Sequence, residues 1–594
     1  MKQRFIYLIK VYLLTVVMFI AAKVVFMWAN HEGHTFGWGD ICDVIRHGFT
    51  LDLSTSLYLF IVPFLVTFAS IWIENIKPLR LILKIYYGVL AAALILAFVA
   101  DTSLYPFWGF KLDASCLQYL ETPEEAGASV SGFYLAIRLL LVLVCGFGIW
   151  WFYAHIPLWN RRPKNRILTT IVGVLLIPVI VIGIRGGMDE STTTIGQVYY
   201  SQNQFLNHSA VNPVFSFFES FEKTVSEIVE YPFFSDAECQ AILEGCYSTE
   251  SIMTDTLLNT QRPNIVVILM ESASEVFAEA MPRLQQLKKE GITFANCYGN
   301  SYRTDRGTVC TLSGYPSFPT MSVMKMSKRA VELPSIAKSL QQQGYATSYL
   351  YGGDINFTNM KSYLIATGWE KLHWKADYTM EEQNSAKWGV RDDITFQTLY
   401  NQIMEADKPF LMGYSTLSSH EPWDVPTHEL ADEKMNAFNY LDQCIGDFVD
   451  KLKVTPQWDN LLIVLLPDHG IKYNQIDETE QIRNHIPLVW IGGAVKAPRT
   501  ITQVCNQSDL PATLLGQMGI SHEAFTFSRD VMSANYQRPF AMHCYNNGFS
   551  VVDSTSFTVF DLTSEKTIAG SNAKSVALGK AILQTTSEDL KNMQ

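Results

Sequence analysis

Basic residues are too few here to favour a polyanion: 45 Lys and Arg face 57 Asp and Glu, a formal net charge of -12 over 594 residues. That balance excludes nucleic acid as the expected partner, whose binders are usually basic. Metal-type cysteine spacing is missing too. Ten Cys are scattered along the chain without the clustering of a structural zinc site. No clear small-residue cleavage site follows the first apolar run, which is therefore read as retained rather than as a removed signal peptide. What the chain has in quantity is apolar sequence, concentrated ahead of about residue 186.

Five segments there are long and apolar enough to span a bilayer, which takes about 20 residues. They lie near Phe5–Trp28, Leu51–Ile73, Leu81–Ala100, Phe133–Ile156 and Ile167–Ile184. Orientation follows from the positive charges of the short loops. Lys2, Arg4 and Lys10 flank the amino end, Lys77, Arg80 and Lys84 the second connection, and Arg161, Arg162, Lys164 and Arg166 the fourth. The alternate loops instead carry Glu32, Asp40 and Asp43, then Asp113, Glu121, Glu124 and Glu125. The amino terminus is therefore expected inside, and an odd number of spans places everything after Ile184 outside the cytoplasm.

The expected divisions are a five-helix membrane domain over 1–185, a juxtamembrane helical connector over 186–260, a catalytic α/β domain over 261–545, and a C-terminal hairpin and tail over 546–594. Val214 to Phe218 in the connector reads as a stripe packed on the catalytic domain or as a piece lying on the membrane. Cys239 and Cys246 lie where a disulfide is permitted. Their spacing fits opposite ends of two helical turns, so both are expected free. Phe549–Asp553 and Phe557–Asp561 read as an antiparallel hairpin. The tail beyond Ser571 reads as helical and exposed.

Between these ends, short apolar runs alternate with helical patterns. Asn264–Met270 stops at Glu271, Ala346–Tyr351 runs into Asp354, Phe410–Tyr414 runs toward His420, and Leu461–Leu466 stops at Pro467-Asp468-His469-Gly470. Continuous apolar strands separated by helices imply a parallel sheet covered on both faces. Ligands of such sheets bind beyond the carboxyl ends of the strands, where Glu271, Asp354, His420, Asp468 and His469 all fall. Carboxylates, imidazole and a hydroxyl converging on one edge point to a divalent metal, with Mn²⁺ favoured and Zn²⁺ or Mg²⁺ admissible. The hydroxyl is that of Thr304, set in the polar stretch Asn300–Cys310 and read as a nucleophile. A free alcohol hardly ionises near neutral pH, and a metal supplies the missing acidity.

The order strand-Glu271, Thr304, His420, Pro467-Asp468-His469-Gly470 resembles the alkaline phosphatase and sulfatase superfamily. Within it the chain is most similar to the lipoteichoic acid synthase and phosphoglycerol transferase family. Met270-Glu271-Ser272, Leu312-Ser313-Gly314-Tyr315-Pro316, Trp388-Gly389-Val390-Arg391-Asp392-Asp393, Ser419-His420-Glu421-Pro422 and the run Asp442–Phe448 carry the resemblance. It implies a bacterial plasma-membrane enzyme with its catalytic domain outside, and one metal held by Glu271, Thr304, Asp468 and His469. A phosphatidylglycerol head group would pass to a glycan or glycolipid acceptor through a phosphorylated Thr304. Arg303, Arg306 and His420 would meet the phosphoryl oxygens, with Asp354 also beside the substrate. His485 is assigned to the head group or to a structural role.

The chain departs from that family in two places. Arg303-Thr304-Asp305-Arg306 stands where relatives tend to have Lys-Thr-Ser-Asp, and Thr358 and Met360 stand where they carry a Trp and an Arg. Those departures leave single transfer open beside polymerisation. Two other activities also stay open. One is phosphoethanolamine transfer from phosphatidylethanolamine. The other is hydrolysis by a phosphodiesterase or sulfatase-like enzyme, although Thr304–Thr308 lacks the Cys/Ser-x-Pro-x-Arg that sulfatases convert to formylglycine.

Overall fold

The computed structural model describes residues 1–32, 34–108, 111–112, 116–117, 132–159, 162–189, 191–201, 203–223, 228–248, 256–406, 409–474 and 476–593. Asp113, Glu121, Glu124, Glu125 and Arg161 of the charge pattern lie outside the described residues. The chain divides into two compact units, Met1–Glu227 and Ile228–Gln594.

The first unit contains five helices long and apolar enough to cross a membrane: α1 (Lys2–Ala29), α2 (Trp38–Ala69), α3 (Lys77–Trp108), α4 (Gly132–Ala154) and α5 (Arg166–Arg185). The chain is therefore membrane-anchored. Helix α2 starts well before the apolar run because the Asp40 carboxylate accepts from Gly37 N at 2.7 Å and organises the first turn. Helix α5 ends where Gly186 adopts φ +91°, a conformation that costs glycine little.

The stretch after α5 folds onto this same bundle. Two short helices, α6 (Gln204–Ala210) and α7 (Pro213–Lys223), follow it. Asn212 between them donates to Asp52 Oδ1 at 2.9 Å, and Ser216 Oγ donates to Leu112 O at 2.6 Å. Asp52 also pairs with Lys23, both fully buried. Val214 joins the apolar core of the bundle while Phe218 stays exposed. The Val214–Phe218 stripe is thus divided between packing on the membrane helices and an outward face.

The second unit is built on an eight-stranded sheet in the order β4-β3-β5-β1-β6-β7-β2-β8. The strands are β1 (Asn264–Leu269), β2 (Ile292–Tyr298), β3 (Ala346–Tyr351), β4 (Lys371–Trp374), β5 (Phe410–Ser415), β6 (Leu461–Leu466), β7 (Val489–Ile491) and β8 (Arg499–Asn506). All neighbours pair in parallel except β7, which is antiparallel to both β6 and β2. The sheet is therefore mixed rather than purely parallel. Strand β1 is apolar from Ile265 onward and is buried on both faces. Ile265, Val267 and Leu269 point into one core, and Val266, Ile268 and Met270 into the other.

A four-stranded antiparallel sheet follows, formed by β9 (Phe540–Tyr545), β10 (Gly548–Asp553), β11 (Phe557–Asp561) and β12 (Lys566–Ala569). The expected hairpin is its centre, with Phe549 opposite Phe560. The last helix, Ala573–Asn592, is not exposed all round. Leu578, Ile582, Leu583 and Leu590 are buried, so the tail covers apolar surface of the unit. Cys239 and Cys246 are free and buried, and Cys310 is buried as a packing residue.

Candidate active site

Three adjacent strands end level and set the site. Leu269 of β1 pairs with Ser415 of β5 on one side and Leu466 of β6 on the other. The residues that follow each strand therefore meet at one sheet edge: Glu271 after β1, Thr416–His420 after β5, and Asp468-His469 after β6. Strand β2 runs in the same direction as β1, and its loop delivers Thr304 as the first residue of a helix, α8 (Thr304–Ser313), to that edge.

The cluster is tight and dry. Candidate ligand atoms of Glu271, Asp468 and His469 all lie within 4.8 Å of one another, and all three residues are buried. Thr304 Oγ1 lies 3.4 Å from Glu271 Oε2 and 3.4 Å from His469 Nε2. His469 Nδ1 lies 3.2 Å from Gly470 O, which places its proton on Nδ1 and leaves the Nε2 lone pair for the cluster. Asp468 Oδ2 is buried and accepts no hydrogen bond from any described residue.

The surrounding hydrogen bonds fix these groups. The Glu271 backbone is held at both ends, its N donating to Thr416 Oγ1 at 2.9 Å and its O accepting from Ser419 Oγ at 2.6 Å. Ser272 Oγ donates to Glu271 Oε1 at 2.7 Å. Gln507 Nε2 donates to both Pro467 O and Asp468 O at 2.8 Å. Helix α8 closes directly on this turn, for a Cβ on Gly307 would sit 1.8 Å from Asp468 O. Glycine is required there by close approach.

Electrostatics ask for a cation. Burial and the neighbouring Asp468 charge push the Glu271 carboxyl up to about 8. Two buried carboxylates with an unsatisfied oxygen, an imidazole lone pair and a hydroxyl make a donor set that suits a hard to borderline divalent ion. The residues present fit the group expected from the sequence.

The remaining expected contacts separate. Arg303 is exposed beside Thr304, its guanidinium 5.9 Å from the centre of the Tyr302 ring. Arg306 does not join it. The helix starting at Thr304 turns Arg306 inward, where Nη1 donates to Pro319 O at 3.0 Å and the guanidinium lies over the Tyr302 ring at 4.8 Å. His485 is structural: Nε2 bonds Ala295 O at 2.9 Å and the ring stacks on Tyr298. Asp354 Oδ1 accepts from both N and Nδ2 of Asn356 at 3.0 Å, shaping the turn after β3. His420 is half-buried at the edge of the cluster. Arg391 pairs with Asp393 at 2.9 Å, a structural ion pair.

Some residues had no local signal. Ser272, Thr416, Ser419 and Gln507 orient the cluster, yet only Ser272 and Ser419 lie in motifs that the sequence singles out. Asp392 likewise reads as one acid among several. Its carboxylate accepts from Leu417 N at 2.8 Å and Ser418 N at 3.0 Å, tying down the loop that carries His420.

Fold and site together define an α/β domain that is similar to those of the alkaline phosphatase superfamily. Residues 263–520 match the family described as Sulfatase. Among solved structures, a protein in the alkaline phosphatase superfamily from Vibrio parahaemolyticus aligns with a TM-score of 0.54 at 26% identity, covering 61% of this chain and 98% of that one. More particularly, the chain is similar to phosphoglycerol transferase I of Xanthomonas axonopodis pv. citri, 25% identical over 312 residues, or 46% of this chain and 43% of that protein. Lipoteichoic acid synthase 2 of Bacillus subtilis is 24% identical over 313 residues, 46% of this chain and 48% of that one. The match thus spans less than half the length of these curated relatives.

Proposed function

We propose that the protein is a membrane-anchored, metal-dependent transferase. It moves the phosphoglycerol head group of phosphatidylglycerol to an extracytoplasmic glycan or glycolipid acceptor through a phosphorylated Thr304. The observation that carries this reading is Thr304 Oγ1 at 3.4 Å from both Glu271 and His469, inside a buried set of metal-type donors. The relatives named phosphoglycerol transferase and lipoteichoic acid synthase support the head group.

Glu271, Thr304, Asp468 and His469 would hold the ion, Mn²⁺ first and Zn²⁺ or Mg²⁺ as alternatives. Such an ion supplies Lewis acidity toward a phosphoryl oxygen and favours the ionised hydroxyl. The chain's own residues do the rest. Thr304 opens helix α8, whose amino end favours the negative charge of a phosphate. Its oxygen bonds phosphorus as the diacylglycerol oxygen leaves. The hydroxyl of the acceptor then displaces it. Arg303 and His420 are placed to meet phosphoryl oxygens as charge builds on them. The positive loop charges at Lys2, Arg4, Lys77, Arg80 and Lys84 support an amino terminus in the cytoplasm and a catalytic unit outside the inner membrane.

The test offers the full-length protein, in mixed micelles with Mn²⁺, fluorescent phosphatidylglycerol and phosphatidylethanolamine in parallel, with Thr304→Ala as control. Diacylglycerol released from phosphatidylglycerol and lost in the control is the expected result. Release only from phosphatidylethanolamine makes the enzyme a phosphoethanolamine transferase. Release from neither overturns the reading.

A further inference from the structure

Glu421 O is shared by two donors. His420 Nδ1 lies 2.8 Å from it and Trp388 Nε1 donates to it at 2.6 Å. A carbonyl oxygen has no proton to give, so the His420 nitrogen that meets it is the protonated one. Nε2 is left with no partner among the described residues. The indole also lies against the imidazole, with ring centroids 4.5 Å apart. Phe357 meets the same indole at 6.0 Å, edge to face.

The loop bearing His420 is otherwise pinned on both sides. Ser419 Oγ holds Glu271 O on the side of the carboxylate cluster. On the other side Ser418 Oγ accepts from Asp392 N at 3.0 Å, and Asp392 lies four residues beyond Trp388 in the same segment. Backbone position is therefore set without Trp388. What the indole adds is the ring plane and the tautomer of His420.

We propose that Trp388 is a positioning residue. Its tilted ring contact and Nε1–H hold His420 against Glu421 O with the proton on Nδ1, so that Nε2 is the nitrogen turned to the transferred phosphoryl group. This rests on the transferase reading given above for the identity of the substrate. It does not rest on that reading for the tautomer.

Two measurements on the full-length protein test it. The first is a kinetic cycle of Trp388→Ala and Trp388→Phe, each in the native background and in His420→Ala, reading diacylglycerol release. Trp388→Ala lowers kcat/KM about tenfold, the equivalent of one hydrogen bond of about 1.4 kcal/mol. Trp388→Phe keeps the ring, loses the N–H and falls between. In the His420→Ala background neither substitution has a further effect. Losses that multiply in the double variants would overturn the proposal, because Trp388 would then act directly or on the fold.

The second is a ¹⁵N-histidine spectrum at pH 8, where a free imidazole is neutral. The signal pair lost in His420→Ala reports a proton on Nδ1 in the native protein, and Trp388→Ala moves it to a tautomeric mixture. An unchanged tautomer in Trp388→Phe and Trp388→Ala sinks the idea. No turnover is needed, so a native enzyme that releases no diacylglycerol defeats the transferase reading and leaves the positioning test intact.

Discussion

Ser272 N donates to Asp468 Oδ1 at 2.9 Å, so the residue after one candidate ligand holds the other. Ser272 reaches that geometry at φ +59°, a left-handed conformation that is uncommon for a side-chain-bearing residue. The two strand ends are therefore locked as one object, with Asp468 Oδ1 occupied and Oδ2 without a hydrogen-bond partner among the described residues.

Ser272→Ala removes the 2.7 Å donor to Glu271 Oε1 while keeping the backbone link. Groups that orient metal ligands are worth roughly 10–100-fold in affinity. The expected outcome is Mn²⁺ affinity weakened about tenfold by calorimetric titration, with the melting temperature of the metal-free protein little changed.

Mn²⁺ at about a hundred times its Kd stabilises the folded protein by about 2.7 kcal/mol through mass action. Asp468→Ala abolishes that stabilisation in a thermal melt. It also brings the Glu271 carboxyl down toward its ordinary range, since burial then acts without a charged neighbour. Restoration of the Mn²⁺ shift by any Asp468 variant without a metal-binding side chain would remove this residue from the ligand set.

Gly307→Ala forces a Cβ to within 1.8 Å of Asp468 O unless the helix retreats. Overpacking of this kind costs about 1–3 kcal/mol. Loss of diacylglycerol release should accompany the drop in stability, because α8 carries Thr304 away from Glu271 and His469. A Gly307→Ala enzyme with native kcat would mean that the helix does not set the nucleophile.

Glu478 gives the pH dependence. Burial alone would raise its carboxyl, but the His543 imidazole at 3.4 Å, the Arg483 guanidinium at 3.4 Å and Asn484 Nδ2 donating at 3.1 Å bring it down to about 2. The folded value lies below the ordinary range near 4.5, so the stabilisation is fully present above about pH 4.5 and is lost as pH falls toward 2. Glu478→Gln should flatten the decline of denaturant midpoint between pH 5 and pH 3, measured as about that interval on the native curve. Parallel curves for the two proteins would refute the assignment.

Much of this site was legible in the sequence because strand ends announce themselves. Ile265–Leu269 and Leu461–Leu466 are apolar at every position, and Glu271 and Asp468-His469 interrupt the runs abruptly. A parallel arrangement then forces those interruptions to one edge. Residues that support the cluster from a distance could not be read that way. Thr416 lies 145 residues from Glu271, and nothing in its neighbourhood sets it apart from other strand-end hydroxyls. Arg306 shows the converse. It stands near Thr304 in sequence, but two helical residues at about 100° each turn it to the opposite face of the helix. Strand β7, short and antiparallel, escaped because its three apolar residues carry no direction.

The Lys23, Asp52 and Asn212 cluster has a consequence for biosynthesis. Lys23 enters the bilayer on α1 as an isolated charge, which membrane insertion penalises by up to about 3 kcal/mol. Its counter-charge arrives with α2, so the two helices are expected to leave the translocon together as a hairpin. Asn212 is made 160 residues after Asp52. Until that part of the chain has been made, the Asp52 carboxylate lacks the hydrogen bond that Asn212 donates, and the membrane helices are finished only by a segment that follows all five of them.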